Sequence, residues 1–138
     1  MFQISVEREF CAAHALVIAG VREAVHGHNF RLTVTVQGER IDTDGLLLDF
    51  HALERLVDEI IRPLNNADMN ASPAFTSGKQ NPTAELIAKH IGDRVAAGLA
   101  GITPHGTETP RLASVRLTEA PGCAVTYLPT YPDPRSGR

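Results

Sequence analysis

"HGHNFRLTVTVQG", residues 26–38, decides the fold of this chain. Phe30, Leu32, Val34 and Val36 alternate with Arg31, Thr33, Thr35 and Gln37, so the segment predicts a strand buried on one face only. His26 and His28 fall on the apolar parity. Two imidazoles thus head a face that is otherwise hydrocarbon.

Upstream, Phe2, Ile4, Val6, Phe10, Ala12 and His14 share one parity while Gln3, Ser5, Glu7 and Glu9 take the other, which predicts a first strand with His14 on its apolar face. A loop through Gly20 joins the two strands, and a turn region from Gly38 to Gly45 follows the second. Phe50, Leu53, Leu56, Val57, Ile60, Ile61 and Leu64 then recur at spacings of three and four, a helix capped by Asp49 and ending near Pro63. Residues 71–80 read as loop. Asn81-Pro82 is expected to open a second helix, cap followed by proline, with Ile87, Ile91 and Val95 as its stripe and Gly98 or Gly101 at its end. Two strands are expected at about 112–119 and 123–129, joined by Pro121-Gly122, with Glu119 on the parity of Ala113, Val115 and Leu117.

The order is ββααββ. It implies an α+β fold, an antiparallel four-stranded sheet with both helices on one face, forming one domain over residues 1–129 with a disordered tail at 130–138. Such a sheet has two open edges, so subunit association is expected.

With 138 residues, 43% of them hydrophobic, and a net charge of −3, the chain fits a soluble single domain. No stretch approaches the ~20 apolar residues of a membrane span, and Glu7 and Arg8 stand where a secretion signal needs an apolar run. A cytoplasmic location is expected, with neither nucleic acid nor membrane as partner, since no basic run is interleaved with aromatics. A small polar molecule is the expected partner. Cys11 and Cys123 lack metal-finger spacing and are expected to be reduced, partly buried packing residues.

On a strand, His26 and His28 point to the same side about 7 Å apart, close enough to share an ion where the strand twists. His14 on the neighbouring strand supplies a third imidazole. Three imidazoles leave one position of a tetrahedral zinc open, the pattern of a catalytic rather than a structural site. Zinc suits imidazole, with iron and nickel remaining open.

The segments "FCAAHAL", "HGHNFRLTVTVQG", "GLLLDFHALE", "NPTAELIAKHI" and "VRLTEAPGCAVTY", in this order and spacing, resemble the 6-pyruvoyltetrahydropterin synthase and 6-carboxytetrahydropterin synthase family. The resemblance implies the tunnelling fold, in which ββααββ subunits form trimeric barrels that stack as hexamers with active sites between subunits. It implies zinc on His14, His26 and His28 and a pterin anchored by Glu119. A pterin offers a ring N–H beside an exocyclic amine, an edge that one carboxylate accepts with both oxygens. Thr83 and Glu85 match the helix-start segment that helps to hold the pterin in this family.

The chain also departs from the family pattern. Arg22 occupies the place of the usual reactive cysteine, and Asn65 and Asn66 stand where the family carries an Asp-His pair. An amide does not titrate near neutral pH, so activation of a cysteine by histidine is lost. Neither Cys11 nor Cys123 is placed to replace it. Glu23 gives Glu-x-x-His-Gly-His, which resembles a branch that cleaves the side chain of dihydroneopterin in an aldolase-type reaction, with the glutamate as catalytic group. Three functions stay open on the sequence: a zinc-dependent pterin lyase or aldolase using Glu23, a pterin-binding protein that keeps metal and anchor without turnover, and an unrelated zinc hydrolase built on a similar three-histidine site.

Overall fold

The computed structural model describes residues 1–132. Strands β1 (Phe2–His14) and β4 (His26–Gly38) form its spine. They pair antiparallel over their whole length, from Phe2 opposite Gly38 to His14 opposite His26. Val6, Phe10 and Ala12 of β1 and Phe30, Leu32, Val34 and Val36 of β4 are buried, as their common parity requires. The other face is polar: Gln3 Nε2 donates to Gln37 Oε1 at 3.0 Å and the Ser5 and Thr35 hydroxyls lie 2.8 Å apart.

Strand β6 (Arg111–Ala120) pairs with β4, and β7 (Cys123–Tyr127) with β6. Helices α1 (Phe50–Ile61) and α3 (Ala84–Ile102) cover the buried face, α1 over β1 and α3 over β6 and β7. Leu53 and Val57 of α1 and Ile87, Ile91 and Val95 of α3 meet the strands in one core. The helices approach closely at Gly98, where a Cβ would come within 2.6 Å of Leu56 Cδ1. Asp49 caps α1 as expected, accepting from the His51 amide at 2.9 Å.

Several local expectations are corrected. The loop through Gly20 is a hairpin of β2 (Val17–Ile18) and β3 (Val21–Arg22). Its two turn residues, Ala19 and Gly20, both have positive φ, 51° and 80°, the twist a two-residue hairpin needs. The sheet has five strands: β5 (Ala67–Asp68) adds to the edge of β1, and in parallel. Residues 71–80 contain a short helix, α2 (Pro73–Thr76), with Ser72 as cap and Pro73 in its first turn. Helix α3 starts at Ala84 with Thr83 as its cap, not at Asn81-Pro82. Both cysteines are exposed rather than partly buried; Cys11 lies on the odd, polar face of β1, where parity overrides the usual preference of a small thiol for the interior. Of the tail expected to be disordered from residue 130, residues 130–132 are described, with Tyr131 Oη donating to the Leu112 carbonyl at 2.9 Å, and 133–138 lie outside the described residues. No described helix is long and apolar enough to cross a membrane.

Candidate metal centre and adjoining cavity

The β1–β4 register brings the histidines together. His14 sits directly opposite His26, and His28 follows two residues later on the same side of β4. Their ring centroids lie 4.7 Å (His14–His26), 5.1 Å (His14–His28) and 4.8 Å (His26–His28) apart, edge to face. One nitrogen from each ring falls within a single cluster no wider than 4.8 Å.

The other nitrogens fix the tautomers. His14 Nδ1 bonds the Pro82 carbonyl at 2.8 Å and His26 Nδ1 the Ala24 carbonyl at 2.9 Å. A carbonyl only accepts, so both Nδ1 atoms carry a proton, and in the neutral form each ring turns its Nε2 lone pair inward. Those two Nε2 atoms are 3.1 Å apart. Two facing lone pairs at that distance repel unless a proton or a cation lies between them. Burial pushes the His28 pKa down, against the pull of the Glu119 charge, and the His14 and His26 rings push it down further. His28 Nε2 and Glu119 Oε1 are buried with no hydrogen-bond partner. Orphaned acceptors beside inward lone pairs are what a bound cation satisfies, and the donor set of the three histidines fits zinc.

Glu119 reaches this cluster through an irregularity of the sheet. Thr118 pairs with Ala124 and Ala120 with Cys123, leaving Glu119 as the extra residue of a bulge, a feature that re-aims side chains. Its Oε1 lies 3.3 Å from His14 Nε2 and 3.6 Å from His28 Nε2.

Glu119 also lines a cavity of about 410 Å³ together with Leu16, Thr83, Glu85 and Cys123. Three of the residues singled out in the sequence therefore surround one space. Thr83 is at the same time the cap of α3, its Oγ1 accepting from the Leu86 amide at 3.3 Å. Glu85 is exposed in the first turn of that helix. Glu23 stands apart from this cavity's lining. Its Oε1 accepts from the Leu16 amide at 2.9 Å and lies 3.7 Å from His26 Nδ1, on the side of the ring away from the cluster.

Periodicity did not reveal the residues that hold the surrounding loop. Asn70 clamps Ala15 with both ends of its amide, 2.7 Å to the nitrogen and 2.8 Å to the oxygen. Asn81, expected to cap a helix, instead clamps Val17 in the same way at 3.0 Å on each side. The signal, visible only in hindsight, is an asparagine at each junction facing unpaired backbone beyond β1. Asn65 and Asn66 also serve the backbone: Asn65 Oδ1 accepts from the Cys11 amide at 3.0 Å, and the Asn66 amide, on a residue with φ of 56°, donates to the Cys11 carbonyl at 2.6 Å. The Cys11 thiol points to Asn29 Oδ1 at 2.8 Å.

The family described as 6-pyruvoyl tetrahydropterin synthase matches residues 3–130. The dihydroneopterin monophosphate aldolase of Pyrococcus furiosus is 35% identical over 99 residues, covering 72% of this chain and 79% of that protein. The 6-carboxy-5,6,7,8-tetrahydropterin synthase of Bacillus subtilis is 30% identical over 135 residues, covering 93% and 86%. Among solved structures, 6-pyruvoyl tetrahydropterin synthase of Caenorhabditis elegans has a TM-score of 0.71 at 21% identity, covering 94% of this chain and 98% of that one, which marks a shared tunnelling fold. With a match across nearly its full length and relatives of this similarity, the chain belongs to the 6-pyruvoyl tetrahydropterin synthase family.

Proposed function

We propose that this protein is a zinc-dependent lyase of the aldolase type, acting on the C6 side chain of a 7,8-dihydropterin, dihydroneopterin or a phosphate ester of it. The observation that carries the proposal is the convergence of the His14, His26 and His28 nitrogens beside a cavity lined by Glu119, Thr83 and Glu85. Kinship with a dihydroneopterin monophosphate aldolase supports the reaction class.

His14, His26 and His28 hold the ion, which supplies Lewis acidity toward the side-chain hydroxyls. Glu119 accepts the N–H edge of the pterin, a charged contact of about 1.5–3 kcal/mol per hydrogen bond. The proton of the 2′-hydroxyl is assigned to Glu23 on its place in Glu-x-x-His-Gly-His; its carboxylate lies 3.7 Å from His26 Nδ1, outside the lining shared by Glu119, Thr83 and Glu85. As that hydroxyl becomes a carbonyl, the C1′–C2′ bond breaks and its electron pair passes into the conjugated ring, where a proton quenches it. The products are a 6-hydroxymethyl-dihydropterin and a two-carbon aldehyde, or its phosphate-bearing counterpart. Because Glu23 Oε1 is held by the Leu16 amide, the proton falls to Oε2. The proposal extends to a single domain over residues 1–129, working in the cytoplasm as trimers stacked in a hexamer.

The test is to incubate the zinc-loaded protein with 7,8-dihydroneopterin, its monophosphate and its triphosphate and to identify products by mass. A 6-hydroxymethyl product from any of them supports the lyase. Tight binding of all three without turnover favours a pterin-binding homologue, for which Asn65 and Asn66 are the supporting observation, the first accepting from the Cys11 amide through Oδ1 and the second donating its backbone N–H to the Cys11 carbonyl.

A further inference from the structure

The position of Glu119 carries an inference beyond pterin anchoring. Four atoms bound at 2.0–2.1 Å around a tetrahedral zinc stand about 3.3 Å from one another. His14 Nε2 lies 3.1 Å from His26 Nε2 and 3.3 Å from Glu119 Oε1, and His28 Nε2 lies 3.6 Å from that same oxygen. These three distances match three of the six edges of such a tetrahedron, and the three histidine nitrogens all lie within 4.8 Å of one another. Glu119 Oε1 and His28 Nε2 are both buried, lie 3.6 Å apart and lack any hydrogen-bond partner. His14 keeps its proton on Nδ1, against the Pro82 carbonyl, so in the neutral ring its Nε2 lone pair faces the Glu119 oxygen at 3.3 Å, a contact that is repulsive unless a cation or a proton joins the two. The bulge between Thr118 and Ala120 is what turns Glu119 to this spot.

We infer that Glu119 is the fourth ligand of the resting metal and leaves it when a pterin arrives. The first half stands on the geometry alone, and the second rests on the pterin reading above. Glu119 borders both places, the histidine cluster and the cavity with Thr83 and Glu85. Its carboxylate cannot give both oxygens to a pterin edge while one is held by the ion. Pterin binding therefore frees a coordination position at the moment the side-chain hydroxyls come within reach, and without pterin the centre stays closed to other hydroxyl compounds.

The experiment measures zinc affinity by competition with a chelator, and visible absorption of the cobalt(II)-loaded protein, for the parent and Glu119→Gln without pterin. We expect a roughly tenfold or greater loss of zinc affinity, since even partners outside the ligand set are worth ten- to a hundredfold. We also expect a weaker, shifted cobalt band as water replaces the carboxylate. Equal affinity with an unchanged band overturns the resting ligand. A check independent of any variant is the infrared difference spectrum of the parent on zinc binding, in which one carboxylate's stretching pair must shift; no shift overturns it as well. Adding 7,8-dihydroneopterin to the cobalt parent should then move its band toward that of Glu119→Gln. Binding seen by fluorescence with an unmoved band overturns the displacement. Absence of pterin binding removes the pterin reading, and the displacement with it, while the first measurements still decide the resting ligand.

Discussion

His14 and His26 stand directly across the β1–β4 ladder with their Nε2 atoms 3.1 Å apart and each Nδ1 tied to a backbone carbonyl. The sheet register holds the two rings, and the carbonyls choose their tautomers. The pair is set for metal before any metal arrives, so little ordering entropy remains to oppose binding.

Metal removal follows directly. His26→Ala and His28→Ala should each lose most of the zinc content of the parent, measured by elemental analysis after dialysis. Zinc at a hundred times its Kd should stabilise the parent by about 2.7 kcal/mol, read as a rise in Tm that a chelator reverses. Zinc content that survives in both variants would exclude this ligand set.

His90 gives a pH dependence to the fold. Burial beside Phe75 lowers its pKa from the ordinary 6.5, with the neighbouring Arg94 charge adding to the effect and Asp93 opposing it. The unfolded chain then binds a proton more readily than the folded one, so stability is full above about 6.5 and declines as the pH falls below that value toward the lowered pKa. Urea titrations of the metal-free protein between pH 7 and 5 should show this decline, and His90→Leu should lessen it, leaving the share contributed by His28, whose pKa is also lowered. An equal slope in the variant would assign the decline elsewhere.

Much of this architecture is legible in the sequence, for a physical reason. Long strands buried on one face write their parity into the chain, so Phe10, Phe30 and the three histidines could be assigned to one side before any coordinates. Two-residue elements write nothing comparable. Ala67 and Asp68 become a strand because the edge of β1 is there to receive them. The hairpin at Ala19-Gly20 had only one glycine to announce it. Parity also failed in a specific way at Glu119, which it assigns to the buried face without showing the bulge that aims the carboxylate at His14 and His28. At the start of α3 the Asn-Pro pair points to Asn81 as the cap, whereas Thr83 holds that place and the Asn81 side chain is taken by the backbone of Val17.

That placement is testable. Thr83→Ala removes the Oγ1 that accepts from the Leu86 amide and should cost about 1 kcal/mol of stability by urea titration. Thr83→Ser should restore most of it. Asn81→Ala should leave the helical signal of α3 intact in circular dichroism while raising hydrogen exchange at the Val17 amide. An unfrayed helix in Thr83→Ala would return the cap to Asn81.

Glu23 clamps the loop, and the proposed reaction gives it a second task that one substitution can separate from the first. Its Oε1 holds the Leu16 amide at 2.9 Å, and its charge stands 3.7 Å from the His26 ring. Glu23→Gln keeps an oxygen for the Leu16 amide, so the loop and the metal site should survive, with zinc content and Tm close to the parent's. What it removes is the carboxylate able to take a proton. General base catalysis by a positioned group is typically worth about a hundred- to ten-thousandfold, so turnover of the dihydropterin should fall by that factor while pterin affinity holds. Glu23→Cys should not recover the loss, because a thiol here has Asn65 and Asn66 where a histidine would be needed to take its proton; neither amide titrates, and the Asn65 side chain is engaged with the Cys11 amide. Turnover of Glu23→Gln within a factor of about two of the parent would leave Glu23 as a loop clamp and pass the proton to another group.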